Sequence, residues 1–206
     1  MDKKEITDYF GGNIFSAYSA YTGWKAIFHA RSVGVLREEM ANRYVAIQQY
    51  HPQFFSLTQN SFLTSFILLV LHPFDKDPRS YSLFMIDEAR TKQFMSDNKA
   101  MLDHLFMLRN KIFAHRDLDI DLSKKGVIEI PSIEALDAFF KNLMELYNEL
   151  CQHTDKSFTV FDNAKDVKHD IEHLYMNLYR GENSRLNAID IEYNWEQTPG
   201  KISDVI

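Results

Sequence analysis

Apolar side chains recur three and four residues apart along most of this chain, the spacing that gathers them on one face of an α-helix. After the Gly11-Gly12-Asn13 break, Ile14, Tyr18, Tyr21, Ile27 and Phe28 keep this period and predict a helix reaching about Ser32. Gly34 bends or ends it, and Leu36, Met40, Tyr44 and Ile47 carry the same pattern on to Tyr50. Pro52 suits the first turn of a second long element, Phe54 to Leu71, which stops at Pro73. Asp75, Asp77, Pro78 and Ser80 mark a loop, followed by a short helical stretch around Leu83 to Ala89. Ser96 or Asp97 is placed to cap a helix whose apolar side is Leu102, Leu105, Phe106, Ile112 and Phe113. Residues 118–130 instead alternate apolar and polar around Ser123-Lys124-Lys125-Gly126, the pattern of a small β-hairpin. Ser132 caps a helix from Ile133 to about His153, with Leu136, Phe139, Phe140, Leu143, Leu146, Tyr147 and Leu150 inside. Asn163 caps the last, in which Val167, Ile171, Leu174, Tyr175 and Leu178 share a face before Gly181. The expectation is an all-α bundle over residues 1–180 and a polar arm or tail over 181–206, with one small hairpin near 118–130.

Composition agrees with this picture. In 206 residues there are only 7 Gly and 5 Pro, while 45% are hydrophobic and 14% aromatic, which favours a helical, well-packed core over disorder. One cysteine, Cys151, cannot build a disulfide framework, and the mixed-charge N-terminus lacks the apolar run of a secretory signal, so a cytoplasmic protein is expected. The most apolar segment, Phe62 to Leu71, is well short of the ~20 residues that span a bilayer and is expected to be a buried helix. With 23 Lys and Arg against 29 Asp and Glu, the net charge of −6 argues against indiscriminate coating of polyanions. Any nucleic-acid binding must be local.

One position breaks the apolar pattern. The stripe 102, 105, 106, 112, 113 passes through Arg109. An unpaired guanidinium against a core costs several kcal/mol, so Arg109 needs an acidic partner, an edge position or an anionic ligand. Six residues later comes His115, about 240° around a regular helix and ~9 Å along it, so the two side chains do not share a face. Two copies related by a two-fold axis bring both pairs to one cleft, which predicts a homodimer.

The string Leu108-Arg109-Asn110-Lys111-Ile112-Phe113-Ala114-His115-Arg116-Asp117 resembles the HEPN domains, whose ribonuclease members carry Arg, four to six residues, then His, with a polar residue often directly after the Arg. Together with Leu71-His72-Pro73-Phe74-Asp75 and Ser80-Tyr81-Ser82-Leu83 upstream, it is similar to the HEPN-like family of the AbiU type, associated with phage abortive infection, over roughly residues 14–180. The resemblance implies a helical bundle, usually homodimeric, and in active members metal-independent cleavage of RNA with no cofactor, in phage defence or as the toxin of a toxin–antitoxin pair. An antitoxin or other neutralising protein is then an expected partner, and a membrane is not. The side chains suit that chemistry. A histidine with a reference pKa of ~6.5 can take the proton of a ribose 2′-hydroxyl or protonate the leaving oxygen. Arg109 can clamp the phosphate through two parallel hydrogen bonds, and Asn110 can orient the phosphate or the imidazole. Lys111 and Arg116 belong to a faint basic excess, five basic residues against three acidic between His104 and Lys125, and are expected to touch RNA. The tyrosine that follows the histidine by two positions in toxins paired with a nucleotidyltransferase is Asp117 here, so neutralisation through that tyrosine is not expected. The competing reading is a non-catalytic interaction or regulatory domain, with Arg109 in a structural ion pair and His115 at a helix end.

Other motifs are weaker. His115-Arg116-Asp117-Leu118 lacks the asparagine of a kinase loop, having Leu122 there, and Asp117, Asp119 and Asp121 lack the Gly and Glu of a calcium loop. His169-Asp170-Ile171-Glu172-His173 has the order of an inverted zinc-protease motif, yet its histidines fall opposite the apolar face of their helix and are expected in solvent. Cys151, on an apolar helix face, is expected to be a buried thiol rather than a nucleophile.

Overall fold

The structure is a computed structural model that describes residues 2–32, 34–75, 77, 79–114, 129–152, 154 and 161–188. Among the described residues there are seven α-helices and no strand: α1 Lys3–His29, α2 Glu38–Tyr50, α3 Pro52–Leu71, α4 Glu88–Asp97, α5 Lys99–Ala114, α6 Ile133–Gln152 and α7 Asp166–Ala188. The protein is all-α. Of the expected hairpin, only Glu129 and Ile130 are described, and they are irregular; residues 118–128 lie outside the described residues.

At several boundaries the structure departs from the sequence pattern or decides between its alternatives. The break expected at Gly11–Gly12 is absent, because α1 runs through both glycines from Lys3. Residues 30–37 part α1 from α2, settling two helices rather than one bent helix. A separate helix, α4, precedes α5; its sequence buries only Thr91 and Phe94, too few apolar positions to show a period. Asp87 starts it by accepting a hydrogen bond from the Arg90 N–H at 3.0 Å. At the other end, α7 continues past Gly181 to Ala188. A helical glycine costs only about 1 kcal/mol relative to alanine, and the Arg185–Glu182 pair at 3.0 Å supports the following turn.

The chain divides into two compact units. The first comprises residues Met1–Thr22 and Ser61–Lys165. Its centre is α6, whose expected apolar face is buried in full: Leu136, Phe139, Phe140, Leu143, Leu146, Tyr147 and Leu150. Ser132 caps this helix as expected, accepting from the Ala135 N–H at 3.2 Å. Onto it packs α1, where Tyr21 stacks on Phe140 (4.9 Å between centroids), meets Phe66 edge-on (5.8 Å) and donates its hydroxyl to Asp137 (2.8 Å). From the opposite side of the helix order, Phe94 of α4 lies between Phe74 (5.4 Å) and Phe139 (5.9 Å). Each such aromatic contributes about 1.5–3 kcal/mol by burial, and the aromatic pairs add to it. The two helices come close at Gly11, where the Tyr147 hydroxyl donates to the Thr7 carbonyl (2.9 Å) and occupies the space a Cβ on residue 11 would need, 2.3 Å away. Cys151 is buried, as expected.

The second unit comprises Gly23–Asn60 and Asp166–Ile206. Here α2 packs against α7, and the Tyr175 ring is sandwiched between Tyr44 (4.4 Å) and Phe55 (4.9 Å). Gln48 is 5% exposed and fully used: its amide nitrogen donates to the Tyr175 oxygen and to the Ile27 carbonyl, and its amide oxygen accepts from Arg31. Such a buried polar group is tolerable only because its bonds are made inside the protein. The apolar face foreseen for α7 is only partly inside, since Ile171 and Tyr175 are buried while Leu174 is exposed.

A correction concerns α3. It carries no charged residue in 20, and with the 3₁₀ turn at His72–Phe74 it is long and apolar enough, by length and composition, to cross a membrane. The correction is to its length: within the segment expected to be buried, Phe62 to Leu71, Phe66, Ile67, Val70 and Leu71 are indeed buried and Leu68 is 37% exposed, but the helix begins at Pro52, and Phe54 and Leu57 near its start are 50% and 66% exposed.

Two outcomes follow from this packing. Gly11→Ala, a change that normally favours a helix, should instead destabilise the protein by about 1–3 kcal/mol in urea denaturation, through overpacking against Tyr147. Gly11→Ala combined with Tyr147→Phe should cost less than the sum of the two single changes. In the second unit, burial pushes the Tyr175 phenol from about 10 up to about 12. The neutral phenol is thus favoured in the folded state, and its stabilisation, complete below about pH 10, is lost as pH rises toward 12. The thermal midpoint should fall across that window, and less steeply in Tyr175→Phe.

Candidate functional site

Helix α5 is built from Ala, Met, Leu and Lys, strong helix formers, and Lys99 pairs with Asp103 one turn on. Leu102, Leu105 and Leu108 are its buried side. Of the expected stripe, Leu102 and Leu105 are buried and Phe106 is only half-buried; the side chains of Ile112 and Phe113 lie outside the described residues. His104 lies 2.7 Å from the Glu129 carbonyl through Nε2, a contact that needs its proton on that nitrogen.

Arg109 follows Leu102 by seven residues and Leu105 by four, so at about 100° per residue its backbone points between those two buried directions. Its side chain does not follow them inward. The guanidinium turns back over the Phe106 ring, with Cζ 5.0 Å from the ring centroid, and emerges at Asn110. There Nε and Nη2 each lie 3.4 Å from the Asn110 Oδ1, long for a hydrogen bond to a cation. Among the described residues no carboxylate pairs with Arg109. Of the three situations that reconcile a charge with an apolar stripe, the described residues therefore offer the edge position, with an aromatic shelf in place of an ion pair.

The sequence placed five residues at this site. Arg109 and Asn110 are brought together at the end of α5, and Asn110 and Lys111 line an open surface depression with Asp103, Phe106 and Met107. His115 and Arg116 lie outside the described residues, His115 one position beyond the last residue of α5. Two residues of the depression escaped the sequence reading. Asp103 and Met107 fall four residues apart on the polar side of the helix, where only their register with Arg109 and Asn110 signals them.

The zinc-protease-like order on α7 carries no such geometry. His169 and His173 are exposed, as expected, and His169 lies 3.5 Å from Glu172. Among the described residues no three His, Cys, Asp or Glu side chains gather in a way that holds a metal ion.

Comparison with known proteins adds one match. The HEPN family described as AbiU2 matches residues 5–174, from the first helix to within the last. No curated protein and no solved structure matches the chain. A match of that extent, over a chain whose described residues form helices and no strand, settles the family: the chain belongs to the HEPN AbiU2 family, whose name carries the association with abortive infection.

Proposed function

We propose that this protein is a metal-independent endoribonuclease acting in phage defence or as the toxin of a toxin–antitoxin pair. The observation that carries the reading is the guanidinium of Arg109, held at the protein surface by an aromatic face and a long amide contact instead of a carboxylate among the described residues. Those weak contacts leave its planar fork free to exchange onto a phosphate, a ligand it binds bidentately. A structural ion pair would have used the same fork.

In the proposed reaction the 2′-oxygen of one nucleotide attacks the adjoining phosphorus. The bond to the 5′-oxygen of the next nucleotide breaks, leaving a 2′,3′-cyclic phosphate and a 5′-hydroxyl. Neutral His115 takes the 2′-hydroxyl proton, and a protonated histidine gives one to the departing oxygen. Arg109 binds the phosphate and stabilises the charge that grows on its oxygens in the transition state, with Asn110 steadying the phosphate or the imidazole. Because positions six residues apart fall on different sides of a regular helix, as Arg109 and His115 do in the sequence, the proposal places two copies of the chain around one RNA, so that the histidines of both copies share the acid and base roles. Lys111 and Arg116 add contacts to flanking phosphates. The proposed setting is the cytoplasm, with RNA as substrate and a neutralising protein as regulator.

In EDTA, the wild type should cut total RNA and arrest growth when expressed, and its fragments should end in 2′,3′-cyclic phosphate. Arg109→Ala and His115→Ala should each lower cleavage by about a hundredfold or more. Undiminished cleavage by both folded variants, or intact RNA at every wild-type dose, overturns the assignment. A second measurement separates ligand-binding from structural arginine: Arg109→Ala should cost under about 1 kcal/mol in denaturant titration, since only a surface cation–π contact and a long hydrogen bond are lost.

A further inference from the structure

Asp103 and Asn110, seven residues apart, share a face of α5 and line one depression, and the Arg109 guanidinium, whose own backbone position lies about 120° away, is carried over Phe106 to that Asn110, so that three kinds of chemistry meet there. Asp103 offers a carboxylate, Phe106 an aromatic ring, and Arg109 with Asn110 a guanidinium and an amide. The order is built into the structure by two contacts. The Arg109 guanidinium sits over the Phe106 ring at 5.0 Å, while the same half-buried ring forms part of the wall of the depression that also holds Asp103, Met107, Asn110 and Lys111. Asp103 engages Lys99 through Oδ2, and its Oδ1 accepts no hydrogen bond among the described residues.

We infer that this ladder is a guanine-selective nucleotide subsite, an inference that rests on the ribonuclease reading for the phosphate at its Arg109 end. A guanosine nucleotide presents three parts in the matching order: a Watson–Crick edge, a flat base and a phosphate. With its phosphate on Arg109, the base lies along Phe106 and the exposed Met107, where stacking accepts any base. Its edge then reaches Asp103. A carboxylate only accepts hydrogen bonds, so it favours the base edge with the most adjacent donors. Guanine has two, N1–H and the N2 amino group, side by side, and they fit the two carboxylate oxygens as a pair. Uracil has one N–H flanked by acceptors, cytosine and adenine an amino group beside an acceptor nitrogen, and each sets a lone pair against the carboxylate. Lys99 is exposed and keeps its pair with Asp103, and Lys111 supplies a cation in the lining of the depression.

Binding of the four ribonucleoside 5′-monophosphates to the intact protein, measured by titration calorimetry or by NMR, tests this without requiring cleavage. Guanosine monophosphate should bind at least about fivefold more tightly than the other three. Asp103→Asn should abolish that preference, whereas Lys99→Gln, which removes the same ion pair, should preserve it. Phe106→Leu should weaken all four by about fivefold or more. Equal affinity for the four nucleotides, binding of none, or a guanine preference that survives Asp103→Asn overturns the subsite. If the preference follows Asp103 while no RNA is cut, the ribonuclease reading falls and the subsite stands. If RNA is cut through Arg109 and His115 with no base preference, the subsite falls and the ribonuclease reading stands.

Discussion

The first compact unit depends on how closely α1 can approach α6. At Gly11 the two helices are separated by one hydroxyl group, that of Tyr147, which fills the space of the missing side chain and donates to the Thr7 carbonyl. A methyl group there would displace the tyrosine, and with it the alignment of Phe140 against Tyr21 farther along the same pair of helices. Close-packed interiors leave little room for such a shift. The glycine that reads as a helix breaker in the sequence is thus the residue that lets a long helix pass against the centre of the core.

The second unit solves a different problem. Tyr175 lies between two other rings, and its hydroxyl needs a partner at a depth where water is excluded. Gln48 is that partner, and the same side chain also occupies the Ile27 carbonyl and receives Arg31. One amide therefore joins α1, α2 and α7 within this unit. Buried networks of this kind are stable only when every member is satisfied, which makes them sensitive to the loss of a single group.

At the end of α5 the balance is reversed. Leu102, Leu105 and Leu108 anchor the helix, and the next position in that direction is an arginine, whose charge the core will not accept. The long side chain resolves the conflict by laying its apolar and planar parts over Phe106 and carrying its charge to the surface. Because its partners there among the described residues are a ring face and a distant amide, the guanidinium is lightly held. That arrangement suits the proposed exchange of its resting contacts for those of a phosphate.

Much of this was legible in the chain itself. The period of α6 foretold every buried residue of its face, and Ser132 foretold its cap, because a strongly one-sided helix has only one way to hide its apolar side. The anomaly at Arg109 was equally plain, since a charge in an apolar stripe needs no tertiary information to be noticed, and the surrounding motif carried the family. Tertiary structure alone decided the rest. Local pattern did not reveal α4, whose few buried positions acquire meaning only when Phe94 meets Phe74 and Phe139. It left open which apolar residues of α3 are covered, Phe66 and Val70 being buried and Leu57 exposed, because apolar composition is indifferent to whether neighbours cover it. Nor did it show that Phe106 would be a platform rather than core, or that Asp103 would stand in line with it. Sequence period determines which side chains share a face, whereas burial and partners depend on what packs against that face, and those atoms come from distant parts of the chain.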